Sequence, residues 1–478
     1  MIARRIGLVL GLLLFFYTLF SPQPANMSEQ AWITAGVGML MVVWWVTQVL
    51  PVPVTSLLPI ILFPLLGISS IREAAAPYAN PVIFLLLGGF IIATALQRWQ
   101  LHKRLALTIL HLMGSQPQAI VGGFMIVSAL LSMWISNTAT TIMMLPIALS
   151  LSQVMLEGQS KEATNKFTVC LMLGIAYAAS IGGLGTLIGT PPNVMVAAFM
   201  SETYGINIGF TQWMSFGLPI VFILVPLAWL LLTRLLFTFD LEHNATAAGV
   251  IDSELRAIGP MTTPEKRTAT AFVIVAMAWV TRPFLQQIPG LAALDDTIIA
   301  VAAAVSLFLI PSGDAQQKNV RLLDWSAVEG IPWGVLLLFG GGLSLAAMVS
   351  SSGLAVWLGT VLSILTSLHV FVLMLSIVAM VVFLTELTSN TATTATLLPV
   401  LGGIATAAYI EPLLLIAPMA LAASCAFMLP VATAPNAIVF GSGKVSIPQM
   451  AKAGFCLNLI AIMLIPPLAY LLIPLIFL

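Results

Sequence analysis

The sequence predicts an all-α polytopic membrane protein. It would have about eleven transmembrane helices plus two re-entrant hairpins in two inverted-topology repeats, with the N-terminus inside and the C-terminus outside. Three observations carry this. Of 478 residues, 60% are hydrophobic and only 7% are charged, where a soluble domain carries about 25% charge. Charge-free runs recur at the length needed to cross hydrocarbon, about 20 residues per helix. One hexapeptide also occurs twice, letter for letter, in distant parts of the chain.

Composition removes whole classes of function. A mean hydropathy of +1.08 leaves no soluble or disordered reading. The 17 basic and 17 acidic residues cancel, which argues against nucleic acid as a partner. Cys170, Cys425 and Cys456 are too widely spaced for a disulfide framework or a metal site. The apolar runs are too long for strands and lack period-two alternation.

The crossings follow in chain order: 6–20, 31–50, 54–68, 81–97, a stretch within 167–200, 213–233, 268–285, 294–310, 331–349, a stretch within 412–440, and 455–477. Two apolar stretches exceed this series. Residues 105–156 give 52 positions without Asp, Glu, Lys or Arg, and residues 330–385 give 56. The first is flanked by Arg98, Lys103 and Arg104 and by Lys161 and Lys166. Basic flanks mark the cytoplasmic side, so this segment enters and leaves by one face and forms a hairpin. With the N-terminus inside, fifteen Lys and Arg face the cytoplasm and only Arg72 and Arg282 fall outside. Residues 1–20 also resemble a signal peptide, with Arg4 and Arg5 before an apolar core. No small-x-small site follows in Ser21-Pro22-Gln23-Pro24, which favours a retained first helix.

The repeat is the sharpest signal. Ser136-Asn137-Thr138-Ala139-Thr140-Thr141 recurs as Ser389-Asn390-Thr391-Ala392-Thr393-Thr394, and Leu145-Pro146 matches Leu398-Pro399 at the same offset of 253. Gly88-Gly89 falls on Gly341-Gly342. Thr190-Pro191-Pro192-Asn193 meets Thr433-Ala434-Pro435-Asn436 at an offset of 243. Five crossings separate the copies, an odd number, so the first hairpin opens to the cytoplasm and the second to the outside. Inverted repeats with broken polar segments at corresponding positions point to a secondary transporter. Small polar residues also serve helix packing, but packing does not require an Asn twice in one hexapeptide.

Each Ser-Asn-Thr lies near the middle of its apolar stretch, at or near a hairpin tip, where unpaired backbone must line a cavity or be buried in protein. Helices starting after the tips aim N–H groups at the same point, a seat for an anion. The segments 180–193 and 429–436 break spans with glycine and proline, and the freed carbonyls suit a small alkali cation. No Lys or Arg lies in these elements, so a bound anion needs helix dipoles and co-bound cations. Glu386, three residues before Ser389, reads either as a cation or proton site or as a capping or salt-bridging group near the hairpin mouth. His102, His111, His243 and His369 form no cluster and are assigned no role. Trp44, Trp45, Trp99 and Trp213 read as interfacial or packing aromatics. Thr263-Pro264-Glu265 looks like a helix start with Thr263 as N-cap, and 101–113 looks like an amphipathic surface helix.

These paired Ser-Asn-Thr hairpins, the Thr-Pro-Pro-Asn element and Pro51-Val52-Pro53-Val54-Thr55-Ser56-Leu57-Leu58-Pro59 resemble the divalent anion/sodium symporter family over essentially the whole chain. The resemblance is greatest to its bacterial sodium-coupled dicarboxylate transporters. It implies a homodimer in a bacterial inner membrane, importing succinate-like C4-dicarboxylates with Na⁺ by an elevator movement. The implied division is 1–80 as N-terminal scaffold helices, 81–240 as repeat 1, 241–267 as a cytoplasmic loop, 268–330 as scaffold helices and 331–478 as the repeat 2 core. By motif position, one Na⁺ site would use Ser132, Ser136, Asn137 and Gly185, and the other Thr385, Thr388, Asn390 and Ala432. The dicarboxylate would touch Asn137, Thr138, Asn390, Thr391 and Thr433. Ala434, where the first half has Pro191, departs from internal symmetry. The rivals are a sodium-independent di- or tricarboxylate exchanger and a sulfate carrier on the same fold. A channel fits two gated hairpins poorly, and an enzyme would need a catalytic cluster that the chain lacks.

Overall fold

The computed structural model describes residues 2–114, 116–154, 160–239, 245–314, 319–361 and 369–477. His243 and Lys318 lie outside the described residues. Among those described, regular structure is helical apart from one isolated bridge between Pro311 and Arg321. Seven helical stretches are long and apolar enough to cross a membrane, and five shorter apolar helices accompany them.

Helices α1 (Ile2–Phe20) and α2 (Glu29–Thr47) pair antiparallel, Gly7 facing Thr47 and Gly36 facing Thr18. The expected crossing over 54–68 is not one helix. It divides into α3 (Val52–Thr55) and α4 (Leu58–Leu65). Ser56 Oγ turns back to Val52 O at 2.8 Å and accepts Trp45 Nε1 at 3.0 Å, while Pro59 brings no N–H to join the turns. After the short α5 (Ile71–Ala75), α6 (Pro81–Arg98) crosses whole.

Helix α7 (Leu101–Leu112) is amphipathic as expected: Leu101, Ala106, Leu107 and Leu110 are buried. Then α8 (Pro117–Ser132) and α9 (Asn137–Val154) form a helix–turn–helix around the first Ser-Asn-Thr, and α10 (Lys161–Gly182) and α11 (Pro191–Tyr204) are the halves of a broken helix. α10 is buried along its apolar length and packs closely on α8, where Gly182 meets the Ala129 backbone. α12 (Phe210–Leu230) runs into a π-helical turn, Leu231–Leu236.

The polar face of α7 is covered by α13 (Ala245–Ile258) through Lys103–Glu254 and His111–Asp252 pairs at 3.0 and 2.7 Å. His111 therefore has a structural part that spacing alone hid. Helix α14 (Thr263–Leu285) begins one residue earlier than expected, with Thr262 as N-cap. A capping box needs its Glu at the third helical position, and counting back from Glu265 selects Thr262. After α15 (Asp296–Leu309) and α16 (Trp325–Val328), α17 (Trp333–Ser351) spans and α18 (Leu354–Val361) follows.

The second helix–turn–helix is α19 (Val370–Thr385) and α20 (Asn390–Ala407). Its Ser-Asn-Thr lies beyond the C-terminal end of the 330–385 run rather than at its middle, because that run also contains α17. The second broken helix is α21 (Leu413–Ala423) and α22 (Ala434–Gly441), and α23 (Ile447–Phe477) ends the described chain.

The paired glycines place the repeats against their neighbours. A Cβ on Gly88 would lie 2.8 Å from Ala300 of α15, and one on Gly341 would lie 2.3 Å from Ser56 O. The adjacent Gly89 and Gly342 face Ile188 and Ala395 instead. Each pair thus brings a long helix close to a fixed neighbour on one side and to the polar elements on the other.

Candidate functional site

The two tips are built alike. Asn137 and Asn390 each occupy the first position of their helix, and Ser136 accepts Ala139 N at 3.2 Å to cap α9. Ser132 Oγ donates to Asn137 Oδ1 at 2.5 Å, and Thr385 Oγ1, its counterpart 253 residues on, lies 2.9 Å from Asn390 Oδ1. Thr385 Oγ1 also lies 2.7 Å from Ala423 O, so its single hydrogen serves one acceptor at a time. Thr388 Oγ1 sits 2.6 Å from Thr393 Oγ1 and 2.9 Å from Leu384 O.

The two breaks are also alike. Thr190 and Thr433 are extended and precede the prolines that open α11 and α22. Asn193 Nδ2 donates to Gly183 O and Thr186 O at 2.9 and 2.7 Å; Asn436 Nδ2 donates to Ala426 O and Leu429 O, both at 3.1 Å. Thr190 Oγ1 reaches within 3.5 Å of Ser424 Oγ across the two halves.

Tips and breaks meet at one cavity of about 700 Å³. Its lining includes Ser136, Asn137 and Thr138, then Thr388, Asn390 and Thr391, then Ala432 and Thr433. It thus brings together eight of the eleven residues expected from sequence. Ser132 and Thr385 lie one layer behind, bonded to the two asparagines. Gly185 is outside the lining, packed against Met133 and Leu218. The glycine that does line the cavity is Gly189, which stands 243 positions before Ala432. Gly189 O and Asn137 Oδ1 are both 3.0 Å from the place where a Cβ on Gly183 would sit, so Gly183 is hemmed in by the first tip and the first break together.

No lining side chain is charged. Negative charge would be met by the N-terminal ends of α9, α20, α11 and α22, which all begin at the cavity. Sequence reasoning missed the remaining walls: Val46 and Gln48 at the C-terminal end of α2, Phe90, Thr94 and Gln97 of α6, and 330–332 before α17. Nothing local marks those positions. Gly189 and Thr190 carried a signal in the 243-residue offset.

Glu386 is buried and makes no ion pair among the described residues. Its Oε1 accepts Phe427 N, Met428 N and Asn458 Nδ2 at 2.7, 2.9 and 2.8 Å, and its Oε2 accepts Leu429 N at 3.1 Å. Of its expected roles, capping describes it and salt-bridging does not. The first half has Met133 there, whose carbonyl accepts Thr186 Oγ1 at 2.6 Å. Both halves thus fasten tip to break, one by a carbonyl and the other by a carboxylate. A second asymmetry lies beside them. Trp134 stacks on Phe210 and Trp279 and meets Phe272 edge-on, while its counterpart Leu387 is 76% exposed in the cavity. Trp213, fully buried and donating to Leu184 O, is a packing aromatic.

Comparison with known proteins decides the family. Residues 3–477 match the family described as the sodium:sulfate symporter transmembrane region. The chain belongs to that family. The motif-based resemblance to divalent anion/sodium symporters is therefore borne out, and this symporter-family chain is an integral membrane transport protein rather than an enzyme. It is 42% identical over 478 residues to the sodium-dependent dicarboxylate transporter SdcS of Staphylococcus saprophyticus, covering 99% of this chain and 92% of that one. The SdcS of Staphylococcus aureus strain USA300 matches to the same extent. Among solved structures, the Alcanivorax borkumensis YdaH transporter shares the fold with a TM-score of 0.59 at 15% identity, covering 86% of this chain and 87% of that one.

The crowding at Gly183 makes a specific prediction for the symporter. Gly183→Ala puts a methyl 3.0 Å from both Asn137 Oδ1 and Gly189 O, and one of them must give way. The sodium concentration for half-maximal uptake is expected to rise severalfold with little change in folded protein. Uptake measured against a sodium titration tests this, and an unchanged half-saturation would dissociate those oxygens from the cation.

Proposed function

We propose that this chain imports C4-dicarboxylates of the succinate type together with Na⁺, by an elevator-type alternating-access movement. One observation carries the reading: both Ser-Asn-Thr tips and both helix breaks line a single cavity that contains no charged side chain. A dianion there lacks any Lys or Arg partner, so the helix N-termini and co-bound Na⁺ are what neutralise it. The names of the staphylococcal relatives support sodium and dicarboxylate together.

One cation site uses Ser132, Ser136, Asn137 and the carbonyl of Gly189, which takes the part first given to Gly185. The other uses Thr385, Thr388, Asn390 and the carbonyl of Ala432. Asn137, Thr138, Asn390, Thr391 and Thr433 face the dicarboxylate. In this reading the two helix–turn–helix units are re-entrant, the N-terminus is inside, the C-terminus is outside, and the protein is a homodimer in a bacterial inner membrane. Segments 1–80 and 268–330 supply scaffold, 81–240 and 331–478 carry the two repeats, and 241–267 is a cytoplasmic loop. The cavity wall formed by Gln48, Gln97 and Pro332 lies at the helix ends next to Arg98, Lys103 and Arg104. The positive-inside rule supports a mouth on the cytoplasmic side in this reading.

Uptake of radiolabelled succinate into proteoliposomes under an inward Na⁺ gradient tests the proposal, with K⁺ in parallel. Uptake is expected with Na⁺ and is expected to fall to background with K⁺. Equal uptake in K⁺ that requires internal dicarboxylate would make the protein an exchanger instead. Competition by sulfate but not by fumarate would make it a sulfate carrier.

A further inference from the structure

The best-matched feature of the two halves is one that no role above absorbs. Asn193 and Asn436 are fully buried, and each spends both amide hydrogens on carbonyls ten and seven residues earlier, on Gly183 and Thr186 and on Ala426 and Leu429. Carbonyls cannot donate, so the orientation of both side-chain amides is unambiguous. The same choice leaves Asn193 Oδ1 and Asn436 Oδ1 without a hydrogen-bond partner. A buried acceptor without a donor is costly, and the fold accepts that cost at the same place twice.

Position gives the bond pair its meaning. In the first half the later bond holds Thr186, and α11 starts at Pro191; in the second it holds Leu429, and α22 starts at Ala434. Between these two anchors in each half, the tripeptides 188–190 and 431–433 line the cavity. Gly189 and Ala432 are the middle residues of those tripeptides, and their carbonyls are the backbone ligands assigned above. Without the amide, Thr186 O and Leu429 O lose the donor that holds the base of each loop, and the tripeptide is free to swing about its helix start.

We propose that Asn193 and Asn436 are positioning residues that staple the two helix breaks and so set where the Gly189 and Ala432 carbonyls stand in the cation sites. This rests on the sodium-coupled reading of the cavity. The staple does not touch cation or substrate; it acts through the loop. Asn193 serves the first site and Asn436 the second, so each should be separable from the other.

The test uses the purified full-length protein in detergent and in proteoliposomes, comparing wild type with Asn193→Ala, Asn193→Ser and Asn436→Ala. Two quantities are read: the rise in unfolding temperature on adding NaCl, with choline chloride as control, and the Na⁺ concentration for half-maximal succinate uptake. Asn193→Ala and Asn436→Ala are each expected to raise the half-saturating Na⁺ about tenfold, the effect of two lost hydrogen bonds, and to change the preference for Na⁺ over Li⁺. The KM for succinate at saturating Na⁺ should stay within about twofold in Asn193→Ala, whose loop carries no residue assigned to the dicarboxylate. Asn193→Ser keeps one donor and should fall between. A purely structural role would lower the unfolding temperature or the yield while leaving the Na⁺-dependent increment, half-saturation and ion preference as in wild type, and that result overturns the proposal. Should Asn193→Ala not fold, the serine variant decides by the same criterion. Wild type that ignores Na⁺ would instead overturn the sodium-coupled reading, whatever the variants do.

Discussion

Asn137→Ala and Asn390→Ala are each expected to abolish sodium-driven succinate uptake, by about 100-fold or more. Each amide stands at the first position of a helix whose N-terminus opens on the cavity. Each side-chain oxygen is already oriented by a hydroxyl behind it, Ser132 in one half and Thr385 in the other. In the proposed reading, alanine removes a cation ligand and a carboxylate contact together. Hydrogen bonds to charged groups contribute about 1.5–3 kcal/mol each, and losing two accounts for the factor. Labelled-succinate uptake and direct binding to purified protein check it, with folded yield as control. An alanine variant that binds and transports like wild type would remove that asparagine from the site. Ser132→Ala, one layer further back, is expected to have the smaller effect because it leaves Asn137 itself in place.

Glu386→Leu is expected to give the second large effect, on folding as well as transport. The carboxylate is the acceptor for three backbone N–H groups of the second break and for the Asn458 amide. Leucine would leave all four donors unmet, the Phe427 N–H and the Asn458 amide fully buried, at about 1–3 kcal/mol for each buried one. The expected result is a large fall in unfolding temperature in detergent and loss of uptake. Glu386→Gln retains one acceptor oxygen but turns an NH₂ toward a donor, so an intermediate fall is expected. Unfolding temperatures equal to wild type in both variants would mean that the carboxylate does not hold the break together. This carboxyl has no counterpart in the first half, where Met133 occupies its place, so in the proposed reading it stands near the second cation site alone. The two sites are therefore related by the repeat without being equivalent.

Much of the site was legible because duplication prints it twice. A repeated hexapeptide at an offset of 253 located both tips, and a repeated Thr-x-Pro-Asn at 243 located both breaks. What failed was register within a break. Gly185, named from the sequence, stands outside the cavity lining, and Gly189 stands in it. Three glycines at 182, 183 and 185 precede Gly189, and letters do not say which backbone oxygen faces the cavity. The contacts separate them: Gly185 packs on Met133 and Leu218, while Gly189 lines the cavity. The split of 54–68 failed for a related reason. A charge-free run has the composition of a crossing, and the turn at Ser56 depends on Trp45, which belongs to another helix.

By itself, the sequence determined the membrane setting, the helical class, the twofold internal plan and the uncharged polar chemistry of the site. These follow from quantities that are local or periodic: apolar run length against hydrocarbon thickness, the positions of Lys and Arg, and identity between distant segments. Only the tertiary structure decided which residues of each break line the cavity, that α2, α6 and α17 complete its wall, and that Glu386 is spent on backbone 41 to 43 residues away. Those are long-range contacts between helices whose facing surfaces are equally apolar. In hydrocarbon, packing shape and hydrogen-bond satisfaction select the partner, and neither can be read from one segment alone.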